Sequence, residues 1–367
     1  GSFIQSIDKK TAGAAEIPTQ TAADEVRAVL AEKKLISNSE VVSYSASSAK
    51  KHFGKLGVAS EDITAELIWV PLNEGKSVKL AWQIYLVPAN SSDYWMVRVD
   101  ANNNRILEES NLTVYCYWGE GEATHKAHSK TTASSVAAKN YFSWNGSSPL
   151  LVSNASYRVV PYPAESPNHT GGTPALVNNP WTLAGGNAVS LGWHNDGTTD
   201  YTITRGNNVW AKEDRDGNNN TIGVSAFSTT TPDPLTFDFT PNFTIAPTQT
   251  TPVQNQQFNI SNVFYWNNII HDLTYNYGFD EVAGNFQANN QGRGGAGNDY
   301  VNADAQDGSG TNNANFATPA DGSSGRMQMY LWNGSPQKDG DVDNGVVVHE
   351  YGHGVSNRLT GGPAQAG

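Results

Sequence analysis

The chain holds a single cysteine, three methionines and few charges for its 367 residues. One thiol, Cys116, excludes an internal disulfide framework and any multi-cysteine zinc site. It is expected to be a small buried hydrophobe, with a metal-blocking thiolate as the alternative. Lys, Arg, Asp and Glu make up 16% of the residues with a net charge of -12, so the surface falls to Asn, Ser, Thr and Gly and would repel a phosphate backbone. Nucleic acid is therefore not an expected partner. No apolar run approaches the roughly 20 residues that cross a bilayer, so no membrane span is expected. Neither Met nor a signal peptide opens the sequence, and Gly1-Ser2 suggests a cut or an expression scar.

What is present suffices for a folded protein. Hydrophobic residues are 38% and aromatic residues 10%, including ten Trp and fifteen Tyr, enough to bury real cores. At roughly 150 residues per domain, two or three domains are expected. In the first part, Thr21 followed by Asp24 predicts a capped helix with Val26, Val29 and Leu30 on one face. The period then changes to two: Leu80, Trp82, Ile84 and Leu86 alternate, as do Trp95, Val97 and Val99, and Asn102-Asn103-Asn104 offers a turn before Arg105-Ile106-Leu107. This predicts a strand meander. From Ala123 to Ser148 the sequence turns to Ala, Ser, Thr and Lys without period, which places a linker or processing region there.

From Leu150 to about Gln257 the chain is rich in Gly, Asn, Pro and Thr, which predicts short strands and long loops. Ser261 is a predicted N-cap, followed by Val263, Trp266, Ile270, Leu273 and Tyr277 at helical spacing and by Gly278 as a terminating glycine. His271 and Asp272 on this helix are expected to be a capped or solvated polar face rather than catalytic groups.

The pattern that carries chemistry is His349-Glu350-Tyr351-Gly352-His353. On a helix, residues i and i+4 share a face, so His349 and His353 can each give a ring nitrogen to one zinc ion. Glu350 lies one position on, where it can take a proton from an activated water and later hand it to a leaving amine. Asp343 or Asn344 can cap this helix, and Val346, Val347 and Val348 supply its apolar start. Gly352 and Gly354 each weaken a helix by about 1 kcal/mol relative to Ala, which implies close approach by a backbone or a substrate. The bland alternative is two histidines on an ordinary surface helix.

Asp339, Asp341 and Asp343 resemble the start of an EF-hand loop, but Asn344 stands where that loop needs glycine and Glu350 cannot serve both ions. Carboxylates stabilising the helix N-terminus are the favoured reading, and a looser calcium site stays open. The segment Asp214-Arg215-Asp216-Gly217-Asn218 is expected to be a solvated turn rather than an ion site.

From His349 to Gly362 the sequence closely resembles the zinc helix of the fungalysin metallopeptidases, secreted relatives of thermolysin. Gln306 to Pro319, Trp266 to Asp272 and Thr204 to Ala211 are similar to the same family. The resemblance implies an α+β chain: residues 1–148 as a strand-rich propeptide that inhibits and assists folding, and 149–367 as the N-terminal, β-rich part of a zinc peptidase domain ending in the metal helix. It implies a secreted zymogen that hydrolyses internal peptide bonds, with zinc on His349 and His353, Glu350 as base, and Asn313 and Ala314 hydrogen-bonding an extended substrate. Calcium is an open second cofactor. The family's third ligand, a glutamate on a later helix, falls beyond Gly367, so the chain as written is expected to be inactive. The alternative is an inert fragment whose N-terminal module acts as a protease-inhibiting or chaperone-like partner. A third reading, glycan binding by scattered Trp and Asn, has less to support it.

Overall fold

In a computed structural model of the protein, the described residues are 18–35, 40–44, 50–72, 77–115, 154–219, 223–231, 233–247 and 254–361. Cys116 and the predicted linker over 123–148 lie outside them. The first helix, α1 (Ala22–Glu32), begins where the sequence places it. The Thr21 hydroxyl accepts from the Asp24 amide and the Asp24 carboxylate accepts from the Thr21 amide, a reciprocal cap that satisfies two otherwise orphaned donors. Strands β1 (Lys50–His52), β2 (Thr64–Leu72), β3 (Ser77–Leu86), β4 (Trp95–Asp100) and β5 (Ile106–Asn111) form the predicted antiparallel meander in chain order. Val26, Val29 and Leu30 of α1 pack on Leu80, Trp82, Ile84, Leu86, Val97 and Val99, the alternating positions read from the sequence.

The opposite face of the meander is used differently. Tyr85, Val87, Tyr94, Met96 and Leu112 pack against Ala317 and Ala320, two hundred residues downstream. A short strand, β6 (Thr113–Tyr115), then leaves the meander to join a sheet of the downstream region.

That region contains β7 (Ala155–Val159), β8 (Ala175–Asn178), β9 (Val209–Glu213), β10 (Leu235–Phe237), α2 (Gln254–Asn276), β11 (Val301–Thr311), β12 (Ala314–Ala317), β13 (Arg326–Trp332), β14 (Lys338–Asp339) and α3 (Asn344–Gly361). A three-stranded sheet runs β10-β7-β8, and a mixed sheet runs β6-β12-β13-β11-β9 with β14 on β13. The expectation of short strands before the long helix holds.

Helix α2 starts seven residues before the predicted Ser261, whose hydroxyl instead donates to the Gln257 carbonyl inside the helix at 2.7 Å. Its first turns are amide-rich, which conceals a helix from a hydropathy reading. Phe258, Ile260, Val263, Phe264 and Ile269 are buried together with Asn259, Asn262, Asn267 and Asn268, so α2 is enclosed on nearly every side. Buried amides need partners. Asn262 donates to Asp341 O (2.8 Å) and Asn344 Oδ1 (2.9 Å) and accepts from the Val160 amide (2.9 Å), which ties α2 to the start of α3. Tyr277 lies past the helix and is exposed, so the predicted stripe ends before it. His271 and Asp272 are not solvated: both are buried, bonded to each other at 2.9 Å, to Gln287 at 3.0 Å and to Trp193 at 2.9 Å.

Candidate metal centre

Asp343 caps α3 as the sequence suggests: its extended backbone and carboxylate both receive the Val346 amide, the side chain at 3.3 Å. Asn344 fixes the same end, donating to Ala164 O at 2.8 Å while its own amide donates to Glu165 O at 2.8 Å. The helix then lies on the mixed sheet through Val347, Tyr351, Gly354 and Arg358, a stripe at steps of three and four. Gly354 is required by contact: a Cβ there would sit 2.7 Å from the Phe316 ring and 2.9 Å from the Phe286 ring. The close approach is thus to aromatic edges rather than to backbone, and Gly352 has open space on its side.

His349 and His353 project from the other face. Their Nε2 atoms are 3.0 Å apart and the rings stand perpendicular, with centroids 4.6 Å apart. Two nitrogens each about 2.0–2.1 Å from one tetrahedral ion would stand ~3.3 Å apart. The pair therefore fits a zinc ion shared between them. Burial, followed by the neighbouring His349 charge, lowers the His353 pKa and favours the neutral imidazole that a metal needs. Glu350, at about 100° per residue, falls between this pair and the packed stripe, and it is fully buried while His349 is exposed.

His349 also lines a cleft of about 630 Å³ at the N-terminal end of α3, bounded by Glu165, Phe243, Trp332, Asp339 and Asp343. Asp339 and Asp341 are buried rather than arrayed on a surface loop. Asp339 accepts from Gln306 (2.5 Å), from Asn259 and from the Asp341 amide (3.0 Å), as expected of structural carboxylates near a helix start.

Asn313 and Ala314 stand at the start of β12, with Ala314 paired to Met329 of β13. β12 is the strand on which α3 rests, since Phe316 meets Gly354 and Thr318 Oγ1 accepts from Asn357 at 3.2 Å. Its outer edge is paired with β6, Asn315 opposite Tyr115 and Ala317 opposite Thr113. The fold so rests the helix that carries the imidazole pair and Glu350 on β12, the strand that opens at Ala314.

Sequence reasoning missed what fixes α3 at its far end. Arg358 is fully buried and donates to Pro319 O (2.7 Å), Gly284 O (2.8 Å) and Asp299 Oδ2 (3.0 Å). Only its position one turn past His353 hinted at this. It also missed a buried ionic group in which Lys212 and Arg326 both bond Asp304, and Arg326 reaches Glu61 of the meander. Asp214, expected in a solvated turn, is 3% exposed beside this group.

A mixed sheet carrying one helix with converging imidazoles and an adjacent buried carboxylate defines the HExxH class of metal-helix proteins. Residues 156–367 match the family model described as Fungalysin metallopeptidase (M36), and the chain belongs to that family. It is 48% identical over 214 residues to "Extracellular metalloproteinase MEP" of Fusarium vanettenii and 46% identical over 216 residues to "Extracellular metalloproteinase 2" of Trichophyton tonsurans. These alignments cover 58% and 59% of this chain and 32% of each relative. The chain thus spans about a third of the length of the curated relatives it matches.

Proposed function

We propose that this chain is part of a secreted zinc endopeptidase made as a zymogen, in which His349 and His353 hold the metal and Glu350 is the general base. The observation that carries the reading is the 3.0 Å approach of the two Nε2 atoms on a helix whose intervening carboxylate is buried against the sheet. When bound, zinc supplies Lewis acidity that brings the pKa of a water molecule toward about 7. Glu350 accepts the proton of that water and returns it to the nitrogen of the departing amine. Asn313 and Ala314 align an extended peptide along β12 by strand addition. The names of the relatives support secretion, and no helix among the described residues is long and apolar enough to cross a membrane.

Latency follows from the same edge. β6 comes from the region upstream of residue 149 and already pairs with β12, so a substrate strand and β6 compete for neighbouring backbone groups. Residues 1–148 then act as the inhibitory propeptide, and the inhibitory partner of the alternative reading acts within its own chain. The test uses the complete protein: Glu350→Gln should retain zinc and lose nearly all peptide hydrolysis. Undiminished hydrolysis by that variant would show that another group is the base.

A further inference from the structure

Asparagine followed by glycine is the dipeptide in which a chain most readily attacks its own side chain, because no Cβ shields the next amide nitrogen. The sequence holds three such pairs, Asn145-Gly146, Asn333-Gly334 and Asn344-Gly345. The first lies outside the described residues. The fold puts the other two in opposite settings.

Asn344 opens α3 and is buried. Its Nδ2 donates to Ala164 O at 2.8 Å and its Oδ1 accepts from Asn262 Nδ2 at 2.9 Å, so both ends of the carboxamide are held. Gly345 is already helical, and the fixed helical ψ keeps its nitrogen away from the Asn344 side chain. Asn333 follows Trp332, the last residue of β13, in the turn that leads to β14. Its main-chain amide donates to Asn312 Oδ1 at 2.7 Å, which anchors the backbone. Its exposed side chain makes no hydrogen bond among the described residues, and the exposed Gly334 amide donates to none of them. Ring closure needs just these two groups unengaged.

We propose that Asn333 converts itself, without an enzyme, to aspartate and isoaspartate. The Gly334 nitrogen attacks Asn333 Cγ and a C–N bond forms. The Cγ–Nδ2 bond breaks, and ammonia leaves with the proton that the Gly334 nitrogen gives up. Water then opens the five-membered imide. Opening at the side-chain carbonyl gives aspartate, whereas opening at the main-chain carbonyl gives isoaspartate and adds a methylene to the backbone. Either product carries a carboxylate where a neutral amide stood.

The position gives the change a consequence. Asn333 lines the same cleft of about 630 Å³ as His349, and Lys338 is the only Lys or Arg among its described lining residues, against Glu165, Asp339 and Asp343. The new carboxylate makes that wall more acidic, and the isoaspartate form also lengthens the turn between Trp332 and Lys338. Asn168 and Asn242 line the cleft too and are exposed. They are followed by the bulkier His169 and Phe243, and Asn242 Oδ1 is engaged by the Thr244 amide at 3.0 Å, so both are slow comparators.

Incubation of the purified 367-residue chain in warm, mildly alkaline buffer, with peptide mapping by mass spectrometry at intervals, tests this. The native chain should gain about 1 Da at Asn333, as NH₂ gives way to OH, at least tenfold faster than at Asn168, Asn242 or Asn344. In guanidinium chloride Asn344 should catch up with Asn333, since only the fold protects it. Gly334→Ala should slow the change at Asn333 about tenfold or more. Its Cβ would stand 3.0 Å from Pro336 O, so the slowing is also read in guanidinium chloride, where the fold plays no part. An unmodified Asn333 in the native chain, equal native rates at Asn333 and Asn344, or an undiminished rate in Gly334→Ala would overturn the assignment.

Discussion

Replacing Arg358 by alanine should unfasten the C-terminal end of the metal helix. The guanidinium, fully buried, donates to four backbone carbonyls, of Pro319, Gly284, Ser323 and Ala320, at 2.7 to 3.2 Å and to Asp299 at 3.0 Å, while stacking 4.5 Å over the Phe286 ring. Adding a charged-bond value for each contact would overshoot, because water repairs part of the loss once the side chain is gone. Breaking a buried pair by deleting one partner costs about 3–5 kcal/mol, and about 4 kcal/mol is the expected effect here. That is a large share of a domain stability of ~5–15 kcal/mol. The stranded group is Asp299, whose pKa burial pushes up to about 7 even beside Arg358. Asp299→Asn in the same background should therefore restore about 1–2 kcal/mol. Urea unfolding followed by tryptophan fluorescence reads both numbers, with buried Trp193 and Trp266 as reporters. A loss below about 1 kcal/mol, the size of an average substitution, or no rescue by Asp299→Asn would refute the reasoning.

Three further outcomes follow from other parts of the molecule. Gly354→Ala should destabilise by about 1–3 kcal/mol because its Cβ meets Phe316 and Phe286, whereas Gly352→Ala, with open space, should stabilise by up to about 1 kcal/mol; equal effects in thermal melts would contradict the packing. Glu25 is buried in α1 with neither oxygen hydrogen-bonded among the described residues, and burial pushes its pKa up to about 7 from 4.5. Below pH 4.5 both folded and unfolded states carry the proton and nothing is lost, and stability then falls as pH rises through about 7. Glu25→Gln should recover on the order of 2 kcal/mol of meander stability at pH 8 and nothing at pH 4, and a pH-independent gain would discount the carboxylate. Glu61→Ala removes the carboxylate on Arg326 Nη2 at the contact between meander and mixed sheet, leaving Asp304 on Nη1, and should weaken binding of the separately added N-terminal module by roughly 1–3 kcal/mol in a titration, with unchanged affinity as the contrary result.

Local signals were legible wherever the residues that shape an element are neighbours in sequence. The Thr21 and Asp24 cap, the alternating strands of the meander, the Asp343 cap and the imidazole pair are all of this kind. What escaped was set by partners far along the chain. The start of α2 is hidden because Asn255, Gln257 and Asn259 look like loop residues, yet tertiary contacts enclose them. β11 carries Asn, Asp and Gln at buried positions, made tolerable by partners distant in sequence, among them Lys212, Arg326, Gln328 and Asp339. The departure of β6 from the meander onto β12 is invisible to periodicity, since three residues carry no pattern.

Zinc titration of the purified chain against its His349→Ala and His353→Ala variants bears most directly on the whole account. Each variant should bind zinc at least tenfold more weakly than the parent, with Glu350→Gln close to the parent. Equal zinc affinity in all four proteins would mean that the two imidazoles do not form a metal centre.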